Sequence, residues 1–231
     1  MVEDLGYYLA NRENLLRAFN DPATIKTTLD EAALLNVERV LDVGCGIGQA
    51  LYPLAAHQGA FGVGVDVSNA GLQIGRELFS THLPNARVVF TRTVAESLPF
   101  SSETFDLVNC GLALPYMNNS RAIGEVARVL RPGGVFLLKI HHARYYLREL
   151  RKGVTAGRFL QAAYAARVLL AGTIYHITRR QPQGRLLNES FQTRWLLRRE
   201  TAKRGLKIER EQIGTNQLTP SFVIRKISDK R

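Results

Sequence analysis

Cysteine is scarce in this chain. Of 231 residues only Cys45 and Cys110 are cysteines, and they form no Cys-x-x-Cys pair. A disulfide framework or a structural zinc site needs more cysteines at closer spacing, so we expect neither and assign no metal ligands. The first residues, Met1 to Asp4, are acidic and no apolar stretch follows them. We therefore expect no secretory signal peptide and a cytoplasmic location.

A long apolar run without charge is also missing. The most apolar stretch, Phe159 to Thr178, carries Arg167 near its middle together with Gln161 and His176. A charge at that depth opposes insertion across a bilayer. We expect this stretch and the arginine-rich residues 141–158 to form a pair of amphipathic helices. Such a pair would either cover a substrate pocket or lie on a membrane surface.

Acidic residues are few in the C-terminal part. Residues 1–140 hold 11 Lys and Arg against 14 Asp and Glu, whereas residues 141–231 hold 20 against 6. The net charge of +11 therefore arises from the C-terminal part alone. This asymmetry favours an anionic partner, such as nucleic acid, an acidic lipid or a phosphorylated substrate. A solvated arginine-rich surface without a partner is the alternative.

What the chain does contain is a strand followed by a glycine-rich turn. Residues 37–43 are mostly apolar and lead into Gly44, Gly46 and Gly48, after which residues 49–57 suit a helix. Glycine allows backbone conformations closed to other residues and lets a ligand lie directly on the peptide planes. The dinucleotide fingerprint Gly-x-Gly-x-x-Gly would need a glycine at position 49, where this chain has Gln49.

A second apolar run, Phe61 to Asp66, ends in a carboxylate. An acid at the tip of the second parallel strand lies beside the first loop, where it can accept hydrogen bonds from both hydroxyls of a ribose. Asp66 is our candidate for this role. Its alternative role is the N-cap of the next helix, which we expect at 69–80 and which Ser68 could also cap.

Three later stretches continue the series of strands and helices. A third strand at 86–90 precedes Val94-Ala95-Glu96-Ser97-Leu98-Pro99-Phe100, and a fourth strand at 104–110 contains Phe105-Asp106-Leu107-Val108. A helix at 121–130 leads through Arg131-Pro132-Gly133-Gly134 into a fifth strand at 135–140. With Asp42 before the glycine loop, this set resembles the class I S-adenosylmethionine-dependent methyltransferases, in particular their quinone-biosynthesis and related small-molecule branch. The resemblance is good over 20–140, loose over 190–228, and absent from 141–189.

The resemblance implies an α/β fold, a Rossmann-like doubly wound sheet of seven strands, mostly parallel, with a C-terminal antiparallel hairpin. We expect a single methyltransferase domain over residues 1–231. Its first part, 1–36, would hold two N-terminal helices, at 4–19 and at 22–35, the second capped by Asp21. A cofactor-binding core at 37–140 and a helical basic and apolar insert or lid at 141–189 would follow. The last part, 190–228, would contain a closing helix at 190–204 and two strands at 206–210 and 221–227.

The resemblance also implies S-adenosylmethionine as the cofactor and S-adenosylhomocysteine as its product. The methionine part would lie on the glycine loop, the ribose on Asp66, and the adenine beside the loop after the third strand. Val94 stands where the family usually has an aspartate that receives the adenine amino group, so backbone groups would have to make that contact. The predicted cofactor-binding residues are Asp42, Gly44, Cys45, Gly46, Gly48, Asp66, Val67, Val94, Ala95, Glu96 and Asn109.

The predicted chemistry requires no particular catalytic side chain. A sulfonium methyl donor is already activated, so alignment and exclusion of water carry most of the rate. A general base is needed only when the acceptor must lose a proton. His141 and His142, directly after the fifth strand, are the first candidates, and Tyr116 after the fourth strand is the next. A hydrogen-bonding or surface role of the histidines is the alternative.

Three kinds of function remain open at this point. A small-molecule or lipid-like acceptor is favoured by the branch that the motifs resemble. A nucleic-acid acceptor agrees with the basic C-terminal part, but the sequence Asn109-Cys110-Gly111-Leu112 lacks the Asn/Asp-Pro-Pro-aromatic signature of base methylation, and no RNA-binding module is recognisable. The third is a non-catalytic protein that binds the cofactor. Peripheral contact of the insert with an anionic membrane is a further expectation.

Overall fold

The fold is a seven-stranded sheet with helices on both faces. The structure is a computed structural model that describes residues 5–20, 37–53, 59–182, 184, 187, 189–212 and 218–228. The strand order is β3-β2-β1-β4-β5-β7-β6. The first five strands run parallel, and β7 pairs antiparallel with both β5 and β6. The predicted fold class is therefore confirmed.

The strands and helices follow one another in the predicted order. The strands are β1 (Arg39–Val43), β2 (Phe61–Asp66), β3 (Val88–Arg92), β4 (Phe105–Gly111), β5 (Leu130–Lys139), β6 (Leu206–Gln212) and β7 (Ser221–Lys226). The helices are α1 (Leu5–Asn20), α2 (Asn69–His82), α3 (Asn119–Val129), α4 (Ala143–Thr155), α5 (Phe159–Thr178) and α6 (Arg194–Ala202), with one 3₁₀ turn at Leu114–Tyr116. The predicted helix at 22–35 and residues 54–57 of the next lie outside the described residues.

Two apolar cores fill the two faces of the sheet. One joins α1 and α2 to the sheet through side chains such as Leu15, Leu72 and Phe79. The other joins α3 and α6 to the opposite face, through side chains such as Val126 and Leu197. Helices on both faces bury most of β1, β2 and β4, which is why these strands read as apolar runs in the sequence.

The fifth strand begins earlier than predicted. Its pairing with β4 starts at Leu130, opposite Phe105, and resumes with Val135 opposite Leu107, so that residues 131–134 bulge out against Asp106. The Arg131 guanidinium pairs with the buried Asp106 carboxylate, whose other oxygen accepts the Glu38 N–H at 2.7 Å. Residues 131–134 are thus a bulge within the strand, held there by a buried charge.

The closing helix is shorter than predicted. It begins at Arg194, because the Thr193 hydroxyl caps it by accepting the Leu196 N–H at 3.4 Å. Residues 189–192 precede it outside any helix, and all four of their side chains are buried. The Ser190 N–H donates to the Pro115 carbonyl at 3.2 Å, which ties this segment to the turn after β4.

The insert forms the predicted pair of helices. α4 and α5 pack against each other so closely at Gly153 that a Cβ there would lie 2.7 Å from the Ala162 backbone nitrogen. Tyr146 from α4 and Val168 from α5 meet Phe191 in a small apolar core of their own. None of the helices in the described part of the chain is long and apolar enough to cross a membrane.

Candidate active site

The site lies at the carboxyl ends of β1 and β4, where the strand order reverses. Chain connections leave β1 and β4 in opposite directions across the sheet, which opens a crevice between the loops that follow them. The loop after β1 holds the three glycines, and the loop after β4 holds the 3₁₀ turn at Leu114–Tyr116. The glycine loop and the turn are in contact, since a Cβ on Gly44 would lie 2.3 Å from the Ala113 Cβ.

The three glycines take backbone conformations that other residues rarely adopt. Their φ angles are +72° at Gly44, +54° at Gly46 and +88° at Gly48. A Cβ at Gly48 would also lie 2.8 Å from the ring of Phe90. Conformation therefore favours glycine at all three positions, and packing adds to this at Gly44 and Gly48, which supports the sequence interpretation of a tight turn.

Asp66 organises the glycine loop. Its Oδ2 accepts the Gly46 N–H at 2.8 Å, and its Oδ1 accepts the Ser68 N–H at 2.9 Å. Ser68 itself caps α2, because its hydroxyl accepts the Gly71 N–H at 3.1 Å. The carboxylate that the sequence assigned to a ribose thus lies against the loop, and the capping role belongs to Ser68.

Asp42 is a buried carboxylate at the end of β1. It is 3% exposed, and the Asn109 amide of β4 donates to its Oδ1 at 2.7 Å. Burial raises the pKa of Asp42 from 3.8 to about 7, the Asn109 hydrogen bond lowers it, and the charge of Asp66 raises it. Within the described residues no basic side chain forms an ion pair with Asp42. A cationic ligand would favour the ionised form of this carboxylate.

The remaining predicted cofactor residues divide into exposed and buried ones. Val67 and Val94, after β2 and β3, are 40% and 47% exposed, whereas Ala95 is buried. The Glu96 carboxylate accepts the Asn118 N–H at 2.6 Å, so it serves the start of α3. The Cys45 thiol points into the sheet against Gly64, and burial raises its pKa well above the ordinary value. Cys45 therefore presents only its backbone to the loop.

The N-terminal helix α1 reaches the glycine loop. The Tyr8 ring lies 3.7 Å from the position of a Cβ on Gly46 and 2.9 Å from that of a Cβ on Gly71. Tyr8 also packs edge-to-face with its neighbour Tyr7, at a ring distance of 5.5 Å. Helix α1 therefore packs beside the glycine loop through Tyr8.

The two candidate histidines are poorly suited to take a proton. Burial, with the nearby charge of Lys139, lowers the pKa of His141 to about 4, and its ring stacks on Tyr145 at 4.2 Å. His142 uses its Nδ1 to accept the Arg144 N–H at 3.3 Å, which caps α4. Burial lowers the pKa of His142 as well. The hydrogen-bonding alternative therefore describes His142 better than the base hypothesis does.

Tyr116 occupies a different setting, beside a buried acid that the sequence reasoning missed. Glu189 is 4% exposed. Its carboxylate accepts hydrogen bonds from the Tyr164 hydroxyl at 2.5 Å and the Tyr146 hydroxyl at 3.3 Å, and it forms an ion pair with the Arg167 guanidinium at 3.2 Å. Burial, and then the nearby charge of Glu189, raises the pKa of Tyr116 above its ordinary value, while the neighbouring Tyr164 hydroxyl lowers it. We call Tyr116, Tyr164, Tyr146, Arg167 and Glu189 the tyrosine–glutamate cluster. The sequence contained one signal that could have indicated Glu189: Glu149 and Glu189 are the only acids in the otherwise basic residues 141–189.

Comparison with known proteins agrees with this geometry. Residues 40–134 match the family model of a methyltransferase domain. These similarities identify the matched part of the chain, residues 40–134, as a class I S-adenosylmethionine-dependent methyltransferase domain. The match spans the glycine loop, Asp66 and the 131–134 bulge, and it ends before helices α4 and α5.

Two curated methyltransferases and one solved methyltransferase structure illustrate the relationship. An uncharacterised methyltransferase of Synechocystis sp. is 35% identical over 145 residues, which are 61% of this chain and 65% of the relative. The demethylmenaquinone methyltransferase of Clavibacter sepedonicus is 32% identical over 135 residues, 58% of this chain and 54% of the relative. The chain thus spans less than two thirds of the length of these curated relatives. The structure of a geranyl diphosphate methyltransferase in complex with S-adenosylmethionine shares the fold, with a TM-score of 0.63 at 13% identity, over 89% of this chain and 85% of that one.

Proposed function

We propose that this protein transfers a methyl group from S-adenosylmethionine to a small, lipid-like acceptor. The observation that carries the proposal is the pair of carboxylates, Asp42 and Asp66, that flank the Gly44–Gly48 loop at the ends of adjacent parallel strands. S-adenosylmethionine carries a cationic sulfonium and an ammonium group, and a buried acid without a cationic partner suits such a ligand.

The chain's own residues fit the three parts of the cofactor. Asp42 and the glycine loop would hold the cationic methionine part, and Asp66 would accept the ribose hydroxyls while keeping its bonds to the loop. Exposed Val67 and Val94 offer apolar surface to the adenine face. When bound, the cofactor supplies the activated methyl group, and the protein aligns the acceptor and excludes water.

The acceptor class rests on the kind of relatives and on the absence of features for nucleic acid. A demethylmenaquinone methyltransferase, named for a quinone-type lipid, is among the relatives. The end of β4 and the first residue after it read Asn109-Cys110-Gly111-Leu112, without the signature of base methylation. The apolar and aromatic side chains of the loop that follows β4, Met117 and Tyr116 among them, favour an apolar acceptor.

Calorimetry with S-adenosylmethionine and S-adenosylhomocysteine tests the proposal directly. We expect saturable binding of both, and loss of binding in Asp66→Ala, which removes the acceptor of the Gly46 N–H. A matched control is Glu103→Ala, an exposed acid in the loop before β4. The absence of binding to either ligand by the folded protein would overturn the proposal.

A further inference from the structure

The longer helix of the insert leaves one of its faces exposed. Along α5 six exposed side chains recur at intervals of four and three residues, which places them in one line on the helix surface. We call them the outer stripe: Phe159, Ala163, Ala166, Leu170, Thr173 and Ile177. The stripe covers about 27 Å of the helix axis, at a rise of 1.5 Å per residue.

The outer stripe is apolar and contains no charged residue. Its three large members, Phe159, Leu170 and Ile177, are 74%, 57% and 76% exposed. The Thr173 hydroxyl, its one polar side-chain group, donates to the Leu169 carbonyl at 2.8 Å and so stays on the helix. Large apolar side chains in a row at such exposure are costly in water, and patches of this kind mark contact surfaces.

Close packing holds the opposite face of α5 in place. A Cβ on Gly172 would overlap the ring of Phe191, and Ala162 lies directly against Gly153 of α4. Arg167, the one Lys or Arg of α5, pairs with Glu189 of the tyrosine–glutamate cluster at 3.2 Å. The helix cannot turn the outer stripe inward without losing these contacts.

Basic residues lie at both ends of the outer stripe. Arg158 directly precedes it, and Arg179 and Arg180 follow it, all three exposed. Arg151 and Lys152, also exposed, come just before the residue of α4 that packs on the first turn of α5. An apolar line with positive charge at each end is typical of a helix that lies in the plane of a membrane surface.

Exposed acids are missing from the insert. Of its two acids, Glu149 pairs with Arg148 at 3.0 Å, and Glu189 is buried. We propose that the outer stripe docks on an anionic lipid bilayer, with its apolar side chains at the acyl boundary and the arginines at its ends among the headgroups. This docking goes beyond the proposed function and does not depend on it.

A second copy of the chain fits this face less well than a bilayer does. Because the outer stripe is basic at both ends, a second α5 would bring arginines together whether the two helices ran parallel or antiparallel. Like charges that face each other oppose association, whereas anionic headgroups neutralise them. Charge complementarity therefore favours the bilayer.

The docked helix is tied to one wall of the candidate active site. The Gln181 side chain, just past the end of α5, donates to the Met117 carbonyl at 2.8 Å and accepts the Asn119 N–H at 2.8 Å. Met117 belongs to the loop after β4 and lies beside Gly44 of the glycine loop. Docking would therefore bring the bilayer close to the crevice.

Vesicle flotation tests the docking. We expect the protein to float with vesicles of phosphatidylcholine and phosphatidylserine, and much less with phosphatidylcholine alone. In Leu170→Gln/Ile177→Gln the partition coefficient should fall by at least about tenfold, because apolar burial is lost. The matched control is Val89→Gln/Ile227→Gln, which replaces aliphatic side chains that are 45% and 56% exposed on β3 and after β7. Thermal unfolding checks that both variants fold.

Fluorescence locates the contact on the protein. Trp195 is the only tryptophan of the chain, so Trp195→Phe provides a background on which one new tryptophan reports one position. On that background the emission of Leu170→Trp should be quenched by brominated phosphatidylcholine mixed with phosphatidylserine. The emission of Val89→Trp should be unaffected by the same vesicles.

The proposal is overturned if the two double variants bind vesicles equally, if both reporters are quenched equally, or if the folded protein binds no vesicle. Self-association that Leu170→Gln/Ile177→Gln abolishes, without vesicle binding, would assign the outer stripe to a second copy instead. A failure to bind S-adenosylmethionine would bear on the proposed function alone, since vesicle binding is measured without the cofactor.

Discussion

Asn109 and Asp42 face each other across the junction of β4 and β1, with the amide nitrogen 2.7 Å from the carboxylate oxygen. The two residues are register partners in the parallel pair, so the sheet itself fixes their distance. Asn109 provides a donor that suits the carboxylate in either charge state, and burial decides which state prevails. The first two predictions follow from this pair.

Affinity for S-adenosylmethionine should depend on pH through Asp42. Its pKa is raised to about 7, so ligand-free protein is partly protonated there near neutral pH. A cationic ligand favours the ionised form, so binding expels the proton and affinity rises with pH, by at most tenfold per pH unit below about 7. Calorimetry between pH 5.5 and 8 measures the slope. Asp42→Asn should remove it, and an equal slope in that variant would contradict the assignment.

Stability of the ligand-free protein should show the opposite trend. The folded pKa of Asp42 lies above the unfolded value, so the neutral form stabilises the fold fully below about pH 4. This contribution is lost as pH rises through about 7, and amounts to at most about 4 kcal/mol. Urea unfolding at several pH values measures it. In Asp42→Asn the fall between pH 4 and 7 should be smaller.

Gly44→Ala should destabilise the protein and abolish cofactor binding. The φ of +72° disfavours alanine, and the new Cβ would lie 2.3 Å from the Ala113 Cβ. Strain at such a site costs on the order of 1–3 kcal/mol before the clash is counted. Gly111→Ala is the control for stability, because its Cβ would meet only the Asn109 amide nitrogen, at 3.9 Å. Thermal unfolding compares the two, and equal melting temperatures would contradict the prediction.

His142→Ala should lower stability while sparing the rate of the chemical step. It removes the Nδ1 that caps α4, and loss of an N-cap costs about 1 kcal/mol. His142→Ser, which restores a capping oxygen, should recover most of that loss. Thermal unfolding and kcat are measured together. A fall in kcat that serine fails to rescue would restore the histidine as a candidate base.

The sequence predicted the fold well because local and global signals coincide in it. The glycine spacing of residues 44–48, the acid at 66 and the Phe105–Val108 strand each lie where the sheet needs them. Errors occurred at boundaries set by capping and pairing. Thr193 begins α6 four residues later than the apolar pattern indicated, and pairing with Phe105 starts β5 five residues earlier.

The sequence indicated candidate site residues only where they belong to a local motif. Asp42, Asp66 and the glycines were chosen because they stand at strand ends, and those positions are readable from periodicity. Glu189 was missed because its partners Tyr146, Tyr164 and Arg167 are 22 to 43 residues away in the chain. No spacing rule connects such residues, since the packing of α4 on α5 alone brings them together.

The amino-acid sequence by itself determined the order of strands and helices, the turn that needs glycine and the charged C-terminal part, because these depend on neighbours within a few positions. Tertiary structure decided the surroundings of the titratable groups. It made His142 a helix cap, lowered the pKa of His141 by burial, and raised that of Asp42. It also placed Tyr146, Tyr164 and Arg167 around Glu189, since a buried charge takes its properties from the side chains that packing places around it.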